Sequence, residues 1–244
     1  MSQLLDLVRL PNFGLGVAKG QFQNISHIHK FCVVPSMSVN TTGTVWDVND
    51  TIYPWSVWDS GATQLNIVCS DANDVGLMLH VEGLDSNYNL QTESTLIISA
   101  TGQTTTKSYI RVNRMYVTDS GATNVGNIDL QYSTTTIARI RANVGQTMMG
   151  VYTIPAGYSA YVLKGVATCA AGASGAGYFY GRTFNDSNFL IAHSFEFAGG
   201  SEYDYQFPIP LRMVQKTDLE VRTNIRSNNA RVTAAFDLLL DKDD

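Results

Sequence analysis

The chain has 244 residues with 16 basic and 21 acidic side chains, a net charge of −5, and charged residues form 15% of it, below the about 25% usual for soluble domains. Without a basic run, binding to nucleic acid through phosphate neutralisation is not expected, and without a stretch of about 18 apolar residues no helix is expected to span a membrane. Solvation falls instead to Thr, Ser and Asn, which cost less to desolvate than Lys or Glu and suit a protein packed against many neighbours.

The first residues, Met1 to Phe13, lack the basic start and apolar core of a signal peptide. Leu4, Leu5, Leu7 and Val8 make a short apolar stretch before Pro11, too short for a helix that is stable alone. Residues 1–25 therefore read as an arm that orders on a partner or as a frayed terminus, and the leucines favour docking. From Ile28 onward, strand follows strand. Phe31–Val34, Thr44–Val48 and Tyr53–Trp55 open the series, followed by Gln64–Ser70, Gly76–Glu82, Ser94–Ile98, Tyr109–Val117 and Gly126–Tyr132. Turn residues such as Asp59-Ser60-Gly61 and Asp85-Ser86-Asn87 punctuate them, the pattern of a sandwich or barrel. Leu77, Leu79 and Val81 face one way, and Met78, His80 and Glu82 the other; Ile110, Val112 and Arg114 oppose Arg111, Asn113 and Met115. Helix is expected to be close to absent.

A second series begins near Arg141. It comprises Thr147–Ile154, Ser159–Thr168, Tyr178–Arg182, Phe189–Phe197, Tyr203–Pro208, Asp218–Thr223 and Arg231–Leu240, with Ala170–Gly177 as a flexible hairpin tip. The last strand places Val232, Ala234, Phe236 and Leu238 on one face. The expected fold is all-β: an arm over 1–25, a β-sandwich block over 26–140, and a jelly-roll-like block over 141–244. No Pro/Gly/Ser linker separates the blocks, so they are expected to pack closely.

Little in the sequence asks for catalysis. Cys32, Cys69 and Cys169 are odd in number and form no CxxC pair, so neither a zinc knuckle nor a disulfide scaffold is indicated. Cys69, within Leu65–Cys69, reads as a small buried hydrophobe. His27 and His29 share a strand face, but two ligands are too few for a metal. His80 and His193 read as partly buried, hydrogen-bonded imidazoles. No nucleophile elbow, phosphate loop or dinucleotide fingerprint occurs. Asp71, Asp74, Asp85 and Glu82 lie near turns, where aspartates usually bond their own backbone. Arg139 and Arg141 share a face that they solvate, unless they meet an acidic neighbour. No catalytic residue, cofactor or metal is therefore assigned, and the chain is not expected to be an enzyme.

Trp46, Trp55 and Trp58 fall within one short segment beside Tyr53 and Pro54. In order of preference, they seal the end of the first sandwich, contact a neighbouring subunit, or stack on a sugar. With Leu4, Leu5, Leu7 and Val8 they make up the candidate interface residues.

Several phrases, taken in order, carry a resemblance. Ile25–Phe31, Val45-Trp46-Asp47 and Tyr53-Pro54-Trp55 come first, then Val81–Tyr88, Tyr109–Met115, Asn124–Ile128 and Gly145–Met149. Thr153–Tyr158 and Tyr205–Leu211 close the series. Over residues 20–240 the chain resembles a family of virion structural proteins of aquatic tailed phages, the cyanophage and marine phages. It departs from that family at Phe31-Cys32-Val33, where a glycine usually follows the phenylalanine. Ile154-Pro155-Ala156-Gly157 is shared with jelly rolls in general. The resemblance implies a particle component: a capsid cement or decoration protein, or a neck or tail subunit. The expected partners are further copies of the chain, with a trimer favoured, and the major capsid protein or other virion proteins; neither nucleic acid nor membrane is expected. The expected location is the virion, assembled in the host bacterial cytoplasm. The alternative is a receptor-binding module that holds host surface glycans through Trp55 and Trp58.

Overall fold

β-branched and aromatic residues alternate with polar ones over short runs bounded by Gly, Asn and Asp, which favours pleated strands over helices. The computed structural model describes residues 13–118 and 123–243. It is 57% strand and 7% helix, with antiparallel sheets packed together, so the fold class is all-β. A short helix α1 (Phe13–Ala18) leads into β1 (Ile25–Met37) and β2 (Thr42–Thr44). Next come β3 (Asn66–Cys69), β4 (Met78–Leu84), β5 (Leu90–Leu96), β6 (Gln103–Thr104), β7 (Arg111–Val117), β8 (Ile128–Tyr132) and β9 (Thr135–Ile140). The last series is β10 (Val151–Thr153), β11 (Tyr158–Cys169), β12 (Ser174–Arg182), β13 (Leu190–Ala198), β14 (Glu202–Met213), β15 (Asp218–Ser227) and β16 (Ala230–Lys242).

Two sheets, ordered β1-β16-β11-β14 and β10-β15-β12-β13, face each other, and β2 also pairs with β15. β2 and β10 lie end to end along β15: Thr42–Thr44 pair with Arg222–Asn224, and Val151–Thr153 pair with Asp218–Glu220. Counted as one interrupted strand, they complete the double Greek key of a jelly roll. Its core is the inward row of β16, Val232, Ala234, Phe236, Leu238 and Leu240, packed with Cys32, Val34, Phe179 and Val221.

Residues 45–150 are inserted at that interruption. They form the sheets β6-β3-β8-β9 and β5-β4-β7. Bridges Tyr116↔Gln146 and Ile140↔Thr147 stitch β7 to β9, and the insert encloses a second core around Leu65, Ile67, Leu79, Met115, Ile128 and Leu130. The division expected from the sequence, 26–140 against 141–244, therefore differs from the hydrogen bonding. β1 and β2 belong to the later unit, because Cys32, Val34 and Met37 bury into its core, and the insert runs on past residue 140.

Three local expectations also change. Tyr53–Trp55 is not a strand; a 3-10 turn runs from Trp55 to Ser60. In β7 the register slips, with Glu82 opposite Arg114 but Gly83 opposite Val112, so Asn113 is an extra residue and Val112 and Met115 both reach the core. The expected flexible tip is shorter, because Ser174–Arg182 is a strand. Gly177 belongs in that strand, since a Cβ there would lie 2.2 Å from the ring of Phe195.

Candidate interaction sites

Side chains alternate along β15. Leu219, Val221 and Ile225 enter the jelly-roll core, so Asp218, Glu220 and Arg222 point outward, towards the insert. Asp218 accepts two bonds from Arg111 of β7, from Nε at 2.8 Å and Nη2 at 3.0 Å. It also accepts from Arg182 Nη2 at 2.7 Å and Thr153 Oγ1 at 2.6 Å. Glu220 accepts from Trp55 Nε1 at 2.8 Å, from Arg222 Nη2 at 2.7 Å, and from the Thr44 hydroxyl. Asp218 and Glu220 are both buried, with relative exposures of 3% and 0%. Two desolvated carboxylates are tolerable only because each meets charged or strong donors on every side. Arg111 and Arg182 also lie within 5.5 Å and 5.3 Å of the Trp55 ring centre, which adds cation–π attraction. This network locks the insert onto the jelly roll.

The neck of the insert holds a less satisfied pair. Trp46 bridges to Met149 there. Asp47 Oδ2 accepts from Met148 N at 3.1 Å, while Oδ1 is buried without a hydrogen-bond partner. Burial pushes the Asp47 carboxyl up to about 7. Lys30, on β1, is also buried. Its Nζ donates to the Asn113 carbonyl at 2.6 Å, and burial lowers it to about 8. Asn113, the extra residue of β7, in turn exchanges bonds with Thr153.

The three tryptophans are spent inside this chain. Trp46, Trp55 and Trp58 are all buried in the insert's core, and Tyr53 packs between Trp46 and Trp55. As candidate interface residues they are corrected: their rings are covered by the chain's own aromatics and arginines, so they present no face to a subunit or a glycan. Leu4, Leu5, Leu7 and Val8 lie outside the described residues. Asp71 and Asp85 bond nearby backbone N–H groups as turn aspartates do. Asp74 instead reaches across the insert to Val125 N and Gly126 N. Arg139 meets its acidic neighbour, Asp129, at 2.6 Å. His27 and His29 both bond Asp237 Oδ1, at 3.0 Å and 2.6 Å, and no cluster among the described residues is arranged to hold a metal. The three cysteines are free and buried. No helix among the described residues is long and apolar enough to cross a membrane.

A surface with apolar character lies at one edge of the sandwich, along β13 of the β15 sheet and β14 of the facing sheet. His193, Phe195 and Phe197 alternate on β13, and Tyr203, Tyr205 and Phe207 on β14. Phe195 stacks on Tyr203 at 4.7 Å and His193 on Tyr205 at 4.8 Å. His193 Nε2 lies 2.5 Å from the Tyr203 hydroxyl. This aromatic ladder closes the sandwich edge over a cavity of about 30 Å³, which has room for water and not for a larger ligand. Outside the ladder, Leu190, Ile191 and Ile209 stand 68%, 55% and 84% exposed. Ile209 sits in a bulge, since Val162 pairs with Leu211 while Lys164 pairs with Gln206. The ladder has a signal in the sequence, two aromatic rows of period two separated by Gly199-Gly200, which a search for catalytic and metal-binding patterns does not pick out.

No protein-family model and no curated protein matches the chain. Among solved structures, that of infectious bursal disease virus Gx strain aligns with 90% of this chain and 71% of its own, at 9% identity and a TM-score of 0.26. The infectious bursal disease virus VP2 subviral particle aligns with 90% of this chain and 72% of its own, at 9% identity and a TM-score of 0.24. Likeness at that level carries no inference about what this chain does.

Proposed function

We propose that this chain is a non-enzymatic structural subunit of a tailed-phage particle, a cement or decoration protein or a neck or tail component. In this reading it works in several copies and stabilises the particle through subunit contacts. The observation that carries the reading is the division of its polar and apolar groups. The strong charge cluster is consumed in holding the insert to the jelly roll, while an apolar, charge-poor rim around Leu190, Ile191 and Ile209 faces outward. Exposed apolar patches rimmed by polar residues mark contact surfaces. A weakly charged surface suits a protein that is covered on assembly.

The test is location. Purified phage particles examined by mass spectrometry and by immunogold electron microscopy are expected to contain the chain at a fixed copy number per particle. Particles of full infectivity that lack it would overturn the reading.

A further inference from the structure

The neck, where Gly150 N donates to the Val45 carbonyl at 2.8 Å, holds two buried ionisable groups that do not meet. Lys30 shares a face of β1 with Cys32 and Val34, which enter the jelly-roll core. An ammonium has three protons to place, and among the described residues the one acceptor at Nζ is the Asn113 carbonyl, at 2.6 Å. Asp47, 2% exposed, has the opposite shortfall: Oδ2 accepts from Met148 N at 3.1 Å, and Oδ1 has no hydrogen-bond partner. The charge of Asp47 acts on Lys30, yet Lys30 is engaged at the insert's bulge and leaves Oδ1 unpaired.

Most other charges around the pair are already held. Arg139 of β9, which with Arg141 favours the Asp47 carboxylate, makes two bonds of 2.6 Å to Asp129. Around Lys30, Arg114 of β7 lies 3.9 Å from Glu82 of β4, and the Cys32 thiol donates to the Ala234 carbonyl at 3.1 Å.

We propose that Lys30 and Asp47 are a proton-operated latch at the neck: while Asp47 is protonated, Lys30 holds the Asn113 bulge of the insert, and when Asp47 ionises, its carboxylate draws the Lys30 ammonium off that bulge. The proton leaves Asp47 for solvent, its bonding electrons stay on the carboxylate, and Lys30 keeps its own protons. The exchange is a swing of one flexible side chain between two acceptors. Against a neutral acid the carbonyl wins; against a carboxylate it loses, because two buried opposite charges each stay uncompensated until they meet.

Geometry sets how far the effect reaches. Asn113 is the extra residue of β7, and its side-chain amide is bonded both ways to Thr153 of the roll, at 3.1 Å and 2.9 Å. Releasing Lys30 loosens that bulge and the Thr153 amide behind it. The joint between Arg111 and Asp218 uses other side chains and stays closed. Burial sets where the exchange falls: it raises Asp47 to about 7 and lowers Lys30 to about 8, so between these values acid and amine are both charged. The latch is held below about pH 7 and released above it. This inference does not rest on the chain being a virion subunit.

Crystal structures of the full chain at about pH 5.5 and about pH 8.5, on either side of that range, are expected to show Lys30 Nζ on the Asn113 carbonyl in the first and at Asp47 in the second. Hydrogen exchange at the Thr153 amide, corrected for the intrinsic pH dependence of exchange, is expected to lose about tenfold in protection over the same interval. Asp47→Asn, which cannot ionise, is expected to keep the bond to Asn113 and an unchanged protection throughout. An ammonium that stays on Asn113 at both pH values overturns the latch. So does a loss of protection that Asp47→Asn shares, or a wild type that loses none. The two wild-type structures decide the case even where the variant does not fold.

Discussion

The outer face of β15 and the free edge of β13 belong to one sheet and are finished in opposite ways. At β15, Asp218 and Glu220 give up water completely and are repaid by Arg111, Arg182, Arg222 and Trp55. At β13, the side chains of Leu190 and Ile191 remain in solvent. The difference teaches where the molecule is rigid by construction. A buried carboxylate with every lone pair engaged fixes its partners' geometry, because any movement strands a charge. An apolar rim costs little while exposed and gains on being covered, so it can serve an encounter that the fold does not itself require.

Four substitutions break or sharpen that contrast. The largest effect is expected at the joint. Asp218→Ala leaves Arg111 and Arg182 facing each other without their shared anion, and should lower unfolding free energy by about 3–5 kcal/mol in urea titration. A loss below about 1 kcal/mol would mean that the joint contributes little. Gly177→Val is next. Its side chain must displace Phe195, which lies over that glycine and stacks on Tyr203. Overpacking of this kind costs about 1–3 kcal/mol, and near-ultraviolet circular dichroism should report loosening of the aromatic ladder.

Asp47→Asn addresses the neck, where Asp47 Oδ1 is buried without a hydrogen-bond partner. Burial raises this carboxyl to about 7 in the folded chain, above its unfolded value. The unfolded chain therefore gives up the proton first. The contribution to stability is fully present below about pH 4 and is lost as pH rises towards 7. Asn carries no charge to bury, so the variant should lose this slope and gain about 2 kcal/mol over wild type at pH 8, once its imperfectly bonded amide is counted. Parallel stability–pH curves for the two proteins would refute the assignment. The smallest effect is expected on the rim. Ile209→Ser removes a side chain that is 84% exposed, and should change the stability of the chain by no more than about 0.5 kcal/mol. A larger loss would show that the rim belongs to the fold after all.

Much of the strand pattern was legible because alternation is a local property. The row Val232, Ala234, Phe236 and Leu238 is buried as its spacing requires, and Leu77, Leu79 and Val81 enter the insert's core. What misled was neighbourhood along the chain. Ile25–Met37 precedes the insert in sequence, yet pairs with β16 some two hundred residues later. No local feature of Phe31–Val34 distinguishes a strand of the insert from a strand of the roll. The bulge at Asn113 was equally silent, since one extra residue changes which face is buried without changing composition.

The sequence by itself determined that this protein is built of short antiparallel strands, that Cys69 is a small buried side chain, and that Asp71 and Asp85 serve their own backbone, because those outcomes are written in the residues within a few positions. Only the tertiary structure decided that the jelly roll is interrupted within one strand, that Arg111 meets Asp218, and that the tryptophans are sealed inside. Those outcomes depend on which strands pair across long separations. That choice is made by the summed burial of whole sheet faces and by the need to give every desolvated charge a partner, and neither can be read from a short window of residues.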